Sequence, residues 1–165
     1  MKSLPGFFLA SVFAFALGPC VEKSKHYVIT DYGAVADGKT INTTSLQALI
    51  DHCAETGGGT LVVPKGVFLS GALYFKPGVN LLVEKDAILK STTTMSDFRP
   101  IYTRWEGIER YWTSGFLNFI GMKKVTVTGE GTIDGSGDEW VKLSPRFRPP
   151  TGPAAPRSPT PVAAP

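Results

Sequence analysis

Thr30-Asp31-Tyr32-Gly33-Ala34-Val35-Ala36-Asp37-Gly38-Lys39-Thr40 decides the fold together with the residues C-terminal to it, a short amphipathic stretch and then Gly57-Gly58-Gly59-Thr60-Leu61-Val62-Val63-Pro64. The order is a strand, an Asp-Gly turn, one helix, a triple-glycine stop and a long series of short β-runs. That order predicts a β-solenoid whose first coil is covered by a capping helix. Leu46, Leu49, Ile50 and Cys53 fall at i, i+3, i+4 and i+7, the buried stripe of a helix starting near Thr44. Gln47 is placed to complete a capping box and Gly57 to supply a left-handed stop. His52, Asp51 and Glu55 lie off the stripe, so His52 reads as a solvated surface residue. Cys53 reads as a small buried hydrophobe, because a nucleophilic thiol needs a base beside it.

From Thr60 onward the apolar runs are 61–63, 67–69, 73–75, 79–83, 87–89, 117–120, 125–127 and 132–133. Each is of strand length, and none is long enough for a second helix. Separators such as Pro64-Lys65-Gly66, Lys76-Pro77-Gly78 and Thr128-Gly129-Glu130-Gly131 carry turn chemistry. Two-residue hairpin signals are scarce, which favours coils with bends between parallel strands over a meander or sandwich. Residues 91–114 break the rhythm with Phe98, Tyr102, Trp105, Tyr111 and Trp112 among Arg99, Arg104, Arg110, Glu106 and Glu109. They read as a long excursion from the solenoid. Such insertions build solenoid binding faces, and aromatic rings beside arginines suit sugars that carry carboxylates. The same rings suit pinning the loop to the coils, and both readings stand.

Both ends differ in composition from the middle, so the foldable body is expected over residues 26–144. The formal charge of +3 belongs to those ends: 145–165 holds Arg146, Arg148 and Arg157 without acids, and 1–25 holds three lysines against Glu22, which leaves the body near −2. No basic face is left to argue for nucleic acid. Lys2 and the apolar stretch 7–17, too short for a bilayer, predict a signal peptide and short leader over 1–25. The protein is then secreted, extracellular or periplasmic, with no membrane contact once the signal is removed. Acylation at Cys20 is the alternative, which the neighbouring Pro19 fits poorly. With Cys20 in the leader no disulfide framework is implied. Eight of the 13 prolines fall in 145–165, a composition that cannot make a core and predicts a disordered tail.

Asp134-Gly135-Ser136-Gly137-Asp138 has the alternating oxygens of a calcium loop, but Glu139 stands where glycine is needed and Pro145 where the bidentate glutamate is needed. A turn is the better reading. The glycines at 57–59 follow a helix instead of opening one, which weakens a phosphate cradle. Glycoside cleavage needs two carboxyl roles, and the turn carboxylates are Asp31, Asp37, Asp134 and Asp138. Asp37-Gly38 and Asp134-Gly135 are strong turn pairs in their own right. Asn42-Thr43-Thr44 is a glycosylation sequon where a eukaryotic secretory cell makes the protein.

The residues from Thr30 to Gly38, the helix ending in Gly57-Gly58-Gly59-Thr60, Val62-Val63-Pro64-Lys65-Gly66, and Gly129-Glu130-Gly131-Thr132-Ile133-Asp134-Gly135 with Trp140 resemble the N-terminal part of family 28 glycoside hydrolases. These are the polygalacturonases and their exo-acting relatives in the pectin-lyase-like superfamily. The resemblance implies an all-β fold, a right-handed parallel β-helix with an N-terminal capping α-helix. It implies inverting hydrolysis of α-1,4 galacturonide bonds in pectin by aspartates, with no cofactor and no metal. The first half of the set also occurs in other pectin-lyase-like proteins, so a pectate lyase or epimerase relative is an alternative, against which the stretch 131–140 argues for the hydrolase.

The family's Asn-Thr-Asp, paired aspartates, Gly-His-Gly and Arg-Ile-Lys do not occur in these 165 residues. No catalytic residue is therefore carried over, and the chain is expected to be an N-terminal fragment, truncated after the first coils and inactive alone. Arg104-Trp105-Glu106-Gly107 resembles a segment near the substrate cleft of exo-acting members. It makes Arg104, Trp105, Tyr111 and Trp112 the candidate contacts to an acidic polysaccharide, pectin or oligogalacturonate. A non-catalytic module that binds pectin or a protein partner is the alternative. A stack with one uncapped end also exposes strand edges and apolar interior, so self-association through that open end is expected.

Overall fold

The computed structural model of the chain describes residues 25–143. Residues 1–24, with Cys20 and the expected leader, and residues 144–165, with the expected tail, lie outside the described residues. The first coil runs from β1 (His26–Val28) through a 3-10 turn at Ile29–Tyr32 to β2 (Asp37–Ile41), and helix α1 (Thr43–Glu55) follows. The second contributes β3 (Gly59–Val63), β4 (Gly66–Ser70) and β5 (Leu73–Tyr74). In the third, β6 (Val79–Val83) and β7 (Ala87–Ser91) precede an excursion containing β8 (Pro100–Trp105) and β9 (Ile108–Thr113), and β10 (Leu117–Asn118) closes the coil. The fourth has β11 (Val127–Gly129) and β12 (Thr132–Asp134), then a short helix α2 (Gly137–Leu143) that the sequence patterns had not indicated.

Three parallel sheets result, ordered β1-β3-β6-β11, β2-β4-β7-β12 and β5-β10, which is a parallel β-helix. The register stacks like residues on like, Leu61 on Leu81, Val63 on Val83 and Phe68 on Leu89. Because side chains alternate across a strand, these positions all face the interior and are buried. Val127 and Ile133 continue the columns of Leu81 and Leu89 into the fourth coil. A polar column runs beside the apolar ones. Asn42, Ser70, Ser91 and Ser136 are buried at successive corners, and the Ser136 hydroxyl donates to the Ser91 carbonyl at 2.8 Å. Among the described residues no buried side-chain nitrogen or oxygen lacks a partner, as burial of polar groups demands.

Helix α1 lays Leu46, Leu49, Ile50 and Cys53 on the first coils, and all four are buried as the periodicity predicts. Each such side chain contributes about 1.5–3 kcal/mol when fully removed from water. The stop is the expected one: Gly57 (φ +96°) donates to Ala54 O, and Gly58 N–H reaches back to Cys53 O at 2.8 Å. Gly58 is required for a second reason, since a Cβ there would lie 2.6 Å from the Gly78 carbonyl oxygen in the next coil.

The helix start differs from expectation. The N-cap is Asn42, with no side-chain capping bond, and the helix begins at Thr43. The Gln47 amide makes no capping box. Its Oε1 accepts from Tyr74 N–H at 2.9 Å and its Nε2 donates to Tyr74 O at 3.0 Å, which rivets the cap to β5. Asn42 is likewise used inside the fold. Its Oδ1 accepts from Val35 N–H at 2.7 Å while its Nδ2 donates to Val35 O and Thr40 O at 3.0 Å. The amide nitrogen of the sequon is therefore occupied and buried in the folded protein.

Candidate functional site

The excursion is an antiparallel ribbon, β8 against β9, with Trp105 opposite Ile108 at its closed end. Glu106 (φ +50°) and Gly107 (φ +85°) form the two-residue loop, both left-handed, the conformation of a type I′ turn. That turn is a hairpin signal the sequence pattern hides, because Glu-Gly is a weaker marker than Asn-Gly or Asp-Gly. The foot of the ribbon is held by Phe98, buried against the Trp140 ring of α2 at 5.3 Å between centroids. Beyond the foot two tyrosines stand in solvent: Tyr102 is 62 % and Tyr111 70 % exposed. The excursion thus pins itself through Phe98 and presents Tyr102 and Tyr111, while Trp112 is half-buried.

Register divides the four expected contact residues between two faces. Tyr102 lies opposite Tyr111 and Arg104 opposite Glu109, so Arg104 and Tyr111 share one face. On that face the two tyrosine rings meet edge to face at 5.4 Å, and Tyr102 Oη donates to Glu109 Oε2 at 3.3 Å. Trp112 is on the other face with Arg110, whose guanidinium carbon lies 4.6 Å from the ring centroid. Trp105 pairs at the closed end. The ribbon therefore brings Arg104 and Tyr111 together and separates them from Trp112. Tyr102 and Arg110 complete the two faces, and pairing register, which only the hairpin turn reveals, was the signal that would have found them.

The carboxylates considered for catalysis serve structure. Asp37 accepts from Lys39 N–H, Thr40 N–H and Thr40 Oγ1 at 2.7–2.8 Å, and those bonds, the Thr40 amide first, hold its pKa down at about 2. Asp134 Oδ1 accepts from Ser136 N–H at 2.8 Å, while Oδ2 pairs with Lys90 at 3.5 Å. The run 134–138 is thus a turn leading into α2. Asp31 stands exposed in the 3-10 turn and Asp138 exposed in the first turn of α2. His52 is exposed, its ring edge-on to Tyr27 at 6.0 Å. Burial pushes the Cys53 thiol up, the opposite of what a nucleophile needs.

Known proteins resemble this chain in sequence and in fold. The chain is 33% identical over 117 residues to an exo-poly-α-D-galacturonosidase of Dickeya chrysanthemi, a match covering 66% of this chain and 19% of that protein. An exopolygalacturonase from Thermotoga maritima superposes with a TM-score of 0.64 at 34% identity, over 68% of this chain and 25% of the other. The family 28 exopolygalacturonase of Yersinia enterocolitica does so with 0.59 at 32%, over 68% and 21%. The chain is a relative of the family 28 polygalacturonases. No family model matches it, and it spans about a fifth to a quarter of the length of these relatives. Alginate lyase 7 of Azotobacter vinelandii matches at 29% identity over 119 residues, covering 66% of this chain and 14% of that protein. Among the described residues no helix is long and apolar enough to cross a membrane.

Proposed function

We propose that this chain is the pectin-engaging N-terminal part of a polygalacturonase-type glycoside hydrolase. The whole protein would cleave α-1,4 galacturonide bonds with inversion, and the residues here would bind the acidic polysaccharide without cleaving it. The observation that carries the reading is the match across two thirds of the chain to an exo-poly-α-D-galacturonosidase. The ribbon's exposed face supports putting that binding there. Its exposed tyrosine pair offers ring faces to sugar C–H groups, and Arg104 alongside offers donors to a uronate carboxylate. Catalysis is absent from the proposal because Asp37 and Asp134 are committed to local hydrogen bonds and none of the family's catalytic motifs occurs in the sequence. Within this reading residues 1–25 are a signal and leader, 26–144 the β-helix body and 145–165 a tail. The protein is secreted, and the exposed edge of the fourth coil is a surface for self-association.

Calorimetric titration of trigalacturonate into the purified chain tests this, alongside a reducing-end assay on polygalacturonate. Expected are binding weakened about tenfold or more by Tyr102→Ala with Tyr111→Ala, and no new reducing ends. Turnover abolished by Asp134→Asn would instead move catalysis into this chain. The alginate lyase match supports a second reading, a lyase-type relative, for which ultraviolet-absorbing unsaturated products are the distinguishing sign.

A further inference from the structure

We propose that the groove between helix α1 and the foot of the ribbon is a separate carboxylate-binding subsite, in which Arg99 grips the anion. The groove, of about 480 Å³, is lined by Thr44 and Ala48 of α1, by Ser96 and Arg99, and by Tyr74. Every piece of its frame is tied down. Gln47 holds the Tyr74 backbone through both amide atoms, Ala72 N–H donates to Asp97 O at 3.1 Å, and Tyr74 Oη donates to Ser114 Oγ at 2.9 Å.

Its charges are unevenly committed. Asp51 is taken by Lys76 Nζ at 3.0 Å and by Gln47 Nε2 at 3.1 Å, and Asp97 accepts the Thr92 hydroxyl at 2.8 Å. Arg99 has no carboxylate within ion-pair distance among the described residues, although two acids line the same groove. Its guanidinium is held instead over the Tyr74 ring, 5.0 Å from the centroid, with its edge donors unspent. A planar fork fixed by stacking and left without an anion is suited to a carboxylate approaching from the groove mouth. Thr44 and Ser96, both hydroxyl-bearing, line the same groove and suit a sugar ring carrying that carboxylate. The ligand class is thus a uronate unit. The inference rests on the proposed reading that this chain engages oligogalacturonate, and it adds a second point of grip beside the ribbon.

Titration of the whole chain, followed by backbone amide NMR, separates the possibilities, with trigalacturonate and neutral galactotriose as probes. Trigalacturonate is expected to shift the amides of Thr44, Ala48 and Ser96, and galactotriose to leave them in place. Arg99→Gln should weaken trigalacturonate binding about tenfold or more, the scale of a lost charge-assisted pair, and Arg99→Lys by less. Arg99 is exposed, so an unchanged spectrum elsewhere in Arg99→Gln confirms that only the cation was removed. Groove amides that stay still while ribbon amides move, or wild-type affinity in both Arg99 variants, would overturn the subsite and leave the ribbon reading standing. No trigalacturonate-dependent shift in either place would overturn both.

Discussion

Helix α1 and the fourth coil sit at opposite ends of one stack and treat the same kind of residue differently. At the α1 end Ile50 and Cys53 are wholly inaccessible, and the cap is riveted to β5 through Gln47. At the other end Val127 and Ile133 keep the register of Leu81 and Leu89, yet they are 46 % and 40 % exposed where those partners are 1 %. Register passes from coil to coil through backbone hydrogen bonds, whereas burial needs a neighbour on both sides. A solenoid's stability is close to a sum of such neighbour terms, so the energy of this body is concentrated toward the cap.

The sharpest way to break that comparison is to truncate one isoleucine at each end. Ile50→Ala should cost about 2–5 kcal/mol, because the transfer loss is joined by a cavity that packed neighbours cannot fill. Ile133→Ala should cost about 1 kcal/mol, since water replaces the missing atoms and part of the side chain was never buried. Denaturant midpoints of the two variants measure the difference. Equal costs would mean that Ile133 is covered in solution, as self-association through that end would require.

Two glycines sharpen it at the next scale. Gly57 and Gly129 both have positive φ, but a Cβ on Gly57 meets nothing within 4 Å while one on Gly129 would run into the Val83 carbonyl oxygen. Gly57→Ala should therefore lose about 1 kcal/mol from backbone strain alone, and Gly129→Ala distinctly more. Protection of the Leu81 amide, which donates to Thr126 O, provides a local check by hydrogen exchange. If Gly129→Ala were as mild as Gly57→Ala, the fourth coil would be yielding to the clash instead of holding its place.

Most of the stack was legible in the sequence because its signals are local and repeated. The stripe at 46, 49, 50 and 53, the stop at Gly57 and the β-runs from 61 to 89 each carry their own pattern and land where expected. Asp37-Gly38, read as a turn, instead opens β2, and the run 125–127 meets its strand only at Val127. What escaped were interactions chosen by the tertiary arrangement. Gln47 was placed for a capping box, but β5 offers it a backbone donor and acceptor together, and two bonds outweigh one. The ribbon escaped because Glu106 is an unusual residue for a left-handed turn position, so its pairing register and its two faces stayed hidden. Helix α2 escaped because seven residues with no apolar stripe give no period to read. The Arg99 groove joins residues from three elements, and spacing along the chain carries no trace of it.

The smallest expected effect compares the Asp-Gly pairs at the two ends. Asp37, at the irregular start of β2 in the first coil, accepts three hydrogen bonds from Lys39 and Thr40, whereas Asp134 in the fourth accepts one and leans on Lys90. The Asp37 bonds favour its charged form and lower its pKa from 3.8 to about 2 in the folded protein. As pH falls through 3.8 the unfolded chain takes up this proton first, so unfolding consumes a proton and stability declines down to about pH 2. Above 3.8 the contribution is fully present and flat. Asp37→Asn removes the titrating group, so the melting temperature of the variant should fall less steeply than that of the parent across this window. Thermal unfolding followed by circular dichroism from pH 5 to pH 2 measures both slopes. Parallel curves would show that these bonds are open in solution, and would place the weak point of the stack at its capped end rather than at its uncovered one.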